Sequence, residues 1–233
     1  MDTDKLKITS KDIIDKKIAW LDNIRTEDQI FKGKNYLIMK RLFDLVVVIC
    51  SLPLWIPVIL IAALAIKLAE PNLPIFYRGQ RTGLGGKRFI MYKFRTMVPN
   101  AEELKDKYQD MNELKWPDFK IKHDPRVTRV GKIIRKYSID EIPQLFNVLK
   151  GDMSMVGPRP TFIPLKDFKM WQTKRLETRP GITGLWQIAG RGSSFFDTRI
   201  RLEIAYIQKQ CLQLDFQILL RTITAVIGQK GSF

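Results

Sequence analysis

Two neighbouring carboxylates, Asp140 and Glu141, stand in the stretch SIDEIPQLFNVLKGDMSMVGPRP, Ser138 to Pro160. Ser138 and Glu141 have the Ser-x-x-Glu spacing of a capping box, which satisfies two orphan amides at a helix start. The helix then runs through Leu145, Phe146, Val148 and Leu149 and stops at Gly151. Pro143 falls at the fifth helical position if Ser138 is the N-cap. It falls at the third if Asp140 is, where its missing N–H costs nothing. In both registers Asp140 lies at the helix mouth, where free amides and the helix dipole keep a carboxylate ionised and welcome a phosphate beside it. Arg135 precedes the pair and Arg159 follows it in Gly157-Pro158-Arg159-Pro160. A carboxylate among phosphate-holding groups can attack phosphorus and form an acyl phosphate. Capping alone also accounts for both acids, and on spacing alone it is the favoured reading, because capping boxes are common.

The remaining chemistry-bearing residues narrow the field. A single histidine, His123, excludes a His-rich metal site, so any metal is held by carboxylates and phosphates, a set that suits magnesium. Cys50 lies in an apolar run and Cys211 in a helical pattern, so both read as reduced structural residues. The glycine cluster Gly83 to Gly86 is not a phosphate loop: Arg88 follows Lys87 where Ser or Thr is required, and the earlier glycine is missing. Forty Lys and Arg against 24 Asp and Glu give a net charge of +16 over 233 residues. That excess implies an anionic partner, whether nucleic acid, an acidic membrane surface or a phosphate-bearing substrate.

The elements that must position these residues follow from periodicity. Residues 1–35 form a polar extension with an amphipathic helix expected around Ile13 to Ile24, and no secretory leader is evident. Leu45 to Ile66 is uncharged and as long as a membrane-spanning helix. Pro53 and Pro57 interrupt its hydrogen bonding, and basic clusters flank it on both sides: Lys32, Lys34, Lys40 and Arg41 before, Lys67, Arg78, Arg81, Lys87 and Arg88 after. A spanning helix would carry one cluster outside, against the positive-inside tendency, so a re-entrant helix that bends at the prolines is preferred. A kinked spanning helix and a buried core helix are the alternatives. The domains are then the extension 1–35, the re-entrant segment 36–69, a cytosolic catalytic domain 70–198, and C-terminal helices 199–233 packed on it. Two β-like runs around Gly83 to Gly86 make a hairpin. Residues 100–123 read as a helix and then a loop. GKIIRKYS reads as a short helix with Ile133, Ile134 and Tyr137 on one side, and Thr178 to Gly192 as a structured loop. Arg199 to Ile227 has the stripes of one or two amphipathic helices, lying on the core or on a membrane. The expected class is α+β, mostly helical, with a re-entrant membrane helix broken at proline, a small hairpin and amphipathic interfacial helices.

Four segments carry a resemblance: KRLFDLVVVICSLPLWIPVILIAALAIKL, IFYRGQRTGLGGKRFIMYKFRTM, the Asp140 stretch, and RPGITGLWQIAGR. In order and spacing, from about Lys40 to Arg191, the chain resembles the bacterial sugar transferases, the monotopic phosphoglycosyltransferases that act on polyprenyl phosphate. The resemblance implies transfer of a sugar-1-phosphate from a UDP-sugar to undecaprenyl phosphate, with UMP released, at the cytoplasmic face of the bacterial inner membrane. This is the first membrane step of a surface glycan pathway. It makes Asp140 the nucleophile and Glu141 its partner, with Mg2+ as cofactor held at Asp140 and Glu141. The proline bend maps best onto Pro57, with Pro53 and Ser51 sharing the role; Ile56 stands where the family pattern often has Ser. Glu203 stands where relatives tend to have Asp and is left outside the expected site. Arg135 and Arg159 are expected phosphate clamps, since guanidinium forks suit phosphate oxygens. Lys93 and Arg95, and Arg179 and Arg191, are further candidates for substrate binding, each balanced by a solvated or structural role. Expected partners are undecaprenyl phosphate, a UDP-sugar and anionic inner-leaflet lipids, with a homodimer left open. A non-enzymatic, membrane-tethered nucleic-acid- or lipid-binding protein is the rival class. It is disfavoured because no nucleic-acid motif is present and the aromatics do not interleave with the basic residues.

Overall fold

The computed structural model describes residues 18–24, 30–31, 33–114, 117–189 and 196–227. The apolar run forms helix α1, Gly33–Ala69, which stays helical across Pro53 and Pro57. Each proline lacks the N–H that would reach back one turn, so the carbonyls of Ile49 and Pro53 lose their intrahelical donors. Ser51 Oγ donates to the Val48 carbonyl at 2.9 Å. One stripe of α1 is buried against the rest of the chain through Tyr36, Lys40, Asp44, Val48, Ala62 and Ile66. The opposite face exposes Leu42, Ile49, Leu60 and Leu64.

Polar contacts fasten the first half of α1. The fully buried Asp215 carboxylate accepts from Lys40 Nζ at 2.9 Å, Tyr36 Oη at 3.1 Å and Tyr206 Oη at 2.6 Å. Asp44 Oδ1 accepts from Ser154 Oγ at 3.0 Å and the Met155 amide at 3.1 Å. Buried charge is costly unless paired and hydrogen-bonded, and here each charge has its partner. Arg41 donates to the carbonyls of Val148 and Leu149 at 2.5 and 2.8 Å. The second half of α1 packs through Ala62 and Ile66 on Phe94 and Ile134.

Strands β1, Phe76–Thr82, and β2, Arg88–Phe94, form the expected antiparallel hairpin, in register from Phe76 opposite Phe94 to Thr82 opposite Arg88. Its turn places Gly85 and Gly86 at φ 61° and 79°, a region glycine enters without a Cβ penalty. Residues Leu104–Lys107 make one helical turn, followed by a 3₁₀ turn at Gln109–Met111. Helix α2, Arg129–Lys136, is capped by Thr128 Oγ1, which accepts from the Gly131 amide at 3.0 Å. Only Ile134 of the three expected inward residues is buried; Ile133 and Tyr137 are exposed, because an eight-residue helix presents a single narrow stripe to the core.

Helix α3, Gln144–Lys150, ends at Gly151 with φ 88°, as its glycine suggested. Its buried Asn147 accepts from the Tyr92 amide at 3.0 Å and donates to the Ile90 carbonyl at 2.6 Å, pinning α3 to the hairpin. Strands β3, Ser154–Val156, and β4, Gly181–Thr183, pair in parallel. The backbones touch there: a Cβ on Gly181 would lie 2.1 Å from the Gly157 nitrogen, so glycine is required. The stretch expected to be loop therefore holds β4 and the short helix α4, Leu185–Ala189. Elements this short lie below what periodicity resolves.

Helices α5, Phe196–Gln208, and α6, Leu212–Ile227, pack inward through Ile200, Leu202, Tyr206, Leu214 and Ile218. Phe216, Leu220 and Ile223 face outward. Most of the helix expected around Ile13 to Ile24 lies outside the described residues; Ala19–Asn23 form a 3₁₀ turn whose Leu21 joins the core beside Tyr206 and Leu214. Cys50 is exposed and Cys211 buried, and both are free thiols.

Candidate functional site

Asp140 and Glu141 sit in a 3₁₀ turn, Ile139–Glu141, between α2 and α3. Ser138 launches that turn in the left-handed region, φ 56° and ψ 22°, as the only non-glycine residue with positive φ among those described. Side chains pay on the order of 1 kcal/mol for this conformation. It also overturns the capping-box expectation. An N-cap serine needs an extended backbone to reach the third amide, and Ser138 makes no side-chain cap bond. Helix α3 begins instead after Pro143, and the Glu141 side chain turns away to two cations.

Glu141 Oε1 accepts from Arg159 Nη2 at 2.7 Å and from Lys93 Nζ at 2.9 Å, and Oε2 lies 3.5 Å from Arg159 Nη1. Burial alone would raise the pKa of Glu141, but Arg159 and Lys93 outweigh it and hold the carboxyl well below its ordinary range. Asp140 differs although it is adjacent. Among the described residues no hydrogen bond reaches its carboxylate, and the nearest cation is Lys93 Nζ at 3.7 Å. Burial pushes its pKa up, with Glu141 adding to the rise and Lys93 opposing it. The pair is thus one acid locked in an ion triad and one desolvated carboxylate with free lone pairs. Nucleophilic and metal-binding carboxylates need such lone pairs.

Arg159 is held by its backbone. Its amide donates to Glu203 Oε1 at 3.0 Å and its carbonyl accepts from Arg175 Nη2 at 2.6 Å. Glu203 Oε2 and Arg175 Nε lie 2.8 Å apart as an ion pair whose alignment falls short of a hydrogen bond. The Gly157-Pro158 step before it is fixed by Gly157 donating to the Thr183 carbonyl at 2.9 Å and Gly181 donating to the Pro158 carbonyl at 2.8 Å. The hairpin supplies Lys93 and Arg81 from one face, since alternate strand residues point the same way.

Two chambers meet at these residues. The larger, about 590 Å³, is lined by Asp140, Glu141 and Ser138, with cations Arg81, Lys93, Arg95, Lys105, Arg135 and Arg159. Glu102 is the only other acidic lining residue among those described, so positive charge prevails. The smaller, about 340 Å³, is lined by Asp118, Phe119, Gln144, Arg175, Trp186, Phe196, Arg199 and Glu203. Arg81, Lys93, Arg159 and Phe162 line both. Six cations against three carboxylates leave a surplus of positive charge, a container for a polyanion such as a diphosphate.

The chain therefore brings together Asp140, Glu141, Lys93, Arg95, Arg135 and Arg159. Arg135 Nε donates to Thr96 Oγ1 at 2.9 Å and Arg95 Nε to the Pro74 carbonyl at 3.1 Å, which orients both guanidinium groups at the chamber wall. Burial lowers the Arg135 pKa, against the pull of Asp140. Arg179 lies elsewhere, donating to the Gly151 carbonyl at 3.0 Å and lining neither chamber. Arg191 is outside the described residues. Pro53 and Pro57 lie in α1, and Glu203 lines the smaller chamber and accepts from the Arg159 amide. Sequence reasoning missed Arg81, Lys105, Arg175 and Gln144. For Arg81 a signal existed: strand alternation puts it on the face of Lys93. The other three are assembled by tertiary contacts alone. Among the described residues no three Asp, Glu, His or Cys side chains gather as a metal cluster. With both Glu141 oxygens taken, Asp140 is the carboxylate left free, and one or two carboxylates completed by phosphate oxygens and water is a set that suits magnesium.

Comparisons with known proteins place the chain in a family. A family model described as bacterial sugar transferase matches residues 35–229. The chain is 42% identical over 200 residues to an undecaprenyl-phosphate galactose phosphotransferase of Salmonella typhimurium, covering 84% of this chain and 42% of that protein. It is 40% identical over 204 residues to a UDP-N-acetylgalactosamine-undecaprenyl-phosphate N-acetylgalactosaminephosphotransferase of Aeromonas hydrophila, covering 84% and 45%. It is also 36% identical over 203 residues to the exopolysaccharide production protein ExoY of Sinorhizobium fredii, covering 84% and 88%. The chain thus spans less than half the length of several relatives it matches and most of the length of others.

Proposed function

The chain belongs to the bacterial sugar transferases, and from that membership we propose that it transfers a sugar-1-phosphate from a UDP-sugar to undecaprenyl phosphate. The products are undecaprenyl-diphosphate-sugar and UMP, the first membrane step of a surface glycan pathway. The observation that carries the reading is Asp140: a desolvated carboxylate without a hydrogen bond among the described residues, facing a chamber lined by six cations.

An Asp140 oxygen attacks the sugar-bearing phosphorus. A carboxylate O–P bond forms, the bridging P–O bond breaks, and UMP leaves with the electron pair. A phosphate oxygen of the polyprenyl acceptor then attacks the same phosphorus, the Asp140 O–P bond breaks, and the carboxylate is restored. No proton is consumed in either step, so Glu141 need not act as an acid. Its role is to hold Lys93 and Arg159 against the phosphates, where fixed cations stabilise developing charge without reorganising. Arg135 and Arg81 complete the clamp. Asp140, with Glu141 beside it, would hold magnesium together with the diphosphate. The ion, when bound, neutralises charge on the transferring phosphoryl group.

The anchoring reading is that α1 enters the membrane and returns at Pro53 and Pro57, leaving the globular part on the cytoplasmic face of the inner membrane. Both halves of α1 pack on the same body, the first on Asp215 and Ser154 and the second on Phe94 and Ile134, which supports ends on one side. The exposed apolar face of α1 supports lipid contact.

The test is UMP release across a panel of UDP-sugars with undecaprenyl phosphate and magnesium. The account expects release from at least one donor, abolished in Asp140→Asn. Wild-type turnover by that variant rules out the mechanism. Cysteine labelling that places residue 34 and residue 137 on opposite membrane faces rules out the anchoring.

A further inference from the structure

The smaller chamber is separate in character from the one that holds Asp140. Neither Asp140 nor Glu141 lines it. Its charges beyond the shared wall are paired among themselves, Arg175 with Glu203 and Arg199 with Asp118. Its walls include the rings of Phe119, Trp186 and Phe196, and Arg199 packs 5.1 Å from the Trp186 centroid and 5.5 Å from that of Phe196, holding both rings in place. One uncharged amide also faces it. Gln144 is 2% exposed, lines this chamber, and its amide has no hydrogen-bond partner among the described residues. An amide that opens onto the chamber and makes no hydrogen bond within the described fold is available to a ligand that enters it. The volume, about 340 Å³, falls within the roughly 300–1,000 Å³ of small-molecule clefts.

We propose that this chamber is the subsite for the pyrimidine nucleoside of the donor, walled by Trp186 and Phe196, with the Gln144 amide reading the base edge. The inference rests on the transferase reading above. In-line displacement at the sugar-bearing phosphorus sends the leaving group to the side opposite Asp140. The transferred sugar stays with that phosphorus in the larger chamber. The leaving UMP extends across the shared wall, where Arg81, Lys93 and Arg159 meet its phosphate, into a chamber whose own charges are balanced. A flat, uncharged ring stacks on aromatic side chains. A glutamine amide offers one acceptor and two donors, which match the N–H and carbonyl edge of uracil.

The test uses the full chain in detergent and UMP and CMP as probes, with binding measured directly and UMP release measured on the UDP-sugar panel. Wild type is expected to bind both UMP and CMP, because an amide that nothing in the described fold fixes can turn to present its donor and acceptor to either base edge. Gln144→Glu, which only accepts, is expected to weaken UMP about tenfold while sparing or improving CMP, whose exocyclic amine donates. Trp186→Ala is expected to weaken both about tenfold, and Trp186→Phe to stay within about threefold of wild type, so the result does not depend on one variant folding. If wild type releases UMP but Gln144→Glu keeps the UMP to CMP ratio and Trp186→Ala keeps UMP affinity within twofold, the subsite is wrong and the transferase reading stands. If wild type neither binds UMP nor releases it from any donor, both fall.

Discussion

Asp140 and Glu141 are neighbours, yet neutralising them is expected to move stability in opposite directions. Glu141→Gln is isosteric but removes the anion of the triad. It weakens two charge-assisted hydrogen bonds, at 2.7 Å to Arg159 and 2.9 Å to Lys93, each contributing about 1.5–3 kcal/mol when desolvated. The Arg159 side chain is 39% exposed, so its share is discounted for solvent screening, and Lys93 retains Asp140 at 3.7 Å. About 2–3 kcal/mol of destabilisation remains, or a fall in Tm of roughly 5–10 °C for a chain of this size. For Asp140→Asn the sign reverses. Its folded pKa lies above the unfolded value, so its ionised form at pH 7 is less favourable in the fold than in the unfolded chain. Replacing it relieves that cost, and Tm is expected to hold or rise while activity disappears. The assay is thermal unfolding of wild type and both variants in one detergent at pH 7, beside UMP release. A fall in Tm shared equally by both variants refutes the reasoning, because it would mean that both acids are held by the fold in the same way.

Further outcomes follow from single sites. Ser138→Val places a β-branched side chain at φ 56° and is expected to cost about 1–2 kcal/mol, whereas Ser138→Gly stays within about 1 kcal/mol, read by denaturant midpoints. Asn147→Ala removes the bonds to Tyr92 and Ile90 and strands a backbone carbonyl, for an expected loss of about 2–4 kcal/mol in the same assay. Activity is expected to fall with acid as the raised Asp140 takes up its proton, at a pH above the ordinary aspartate range. Glu141 titrates in the opposite sense. Its folded value is depressed, so its stabilisation is present above its unfolded value and is lost only as pH falls through the folded one. A pH series should therefore show activity lost before the fold, and simultaneous loss would contradict this.

The hairpin, α2, the end of α3 at Gly151 and the C-terminal helices were legible because each is announced locally, by β-like runs around a glycine turn, a short apolar side, a glycine stop or a repeating stripe. The carboxylate pair was legible for its position between two arginines. Its chemistry was misread in one respect, because Ser-x-x-Glu spacing is silent on the backbone of Ser138, and a left-handed serine cannot cap. What stayed hidden depends on distant partners. Lys40 looked like a membrane-flanking cation, but it neutralises Asp215, 175 residues away. Arg41 looked the same and instead satisfies the last carbonyls of α3. Glu203 was set aside, yet it and Arg175 grip both backbone groups of Arg159. The smaller chamber draws on Asp118, Gln144, Trp186 and Arg199, four segments with no shared local pattern.

The central claim is that Asp140 carries the sugar-phosphate between donor and acceptor. Intact-mass analysis of the protein given a UDP-sugar and magnesium without undecaprenyl phosphate tests it most directly. The account predicts UMP release near one equivalent and a phosphosugar adduct that maps to the peptide containing Asp140, is absent from Asp140→Asn, and is discharged by added lipid phosphate. An adduct on another residue, or turnover that requires both substrates together and leaves Asp140 unmodified, would contradict it.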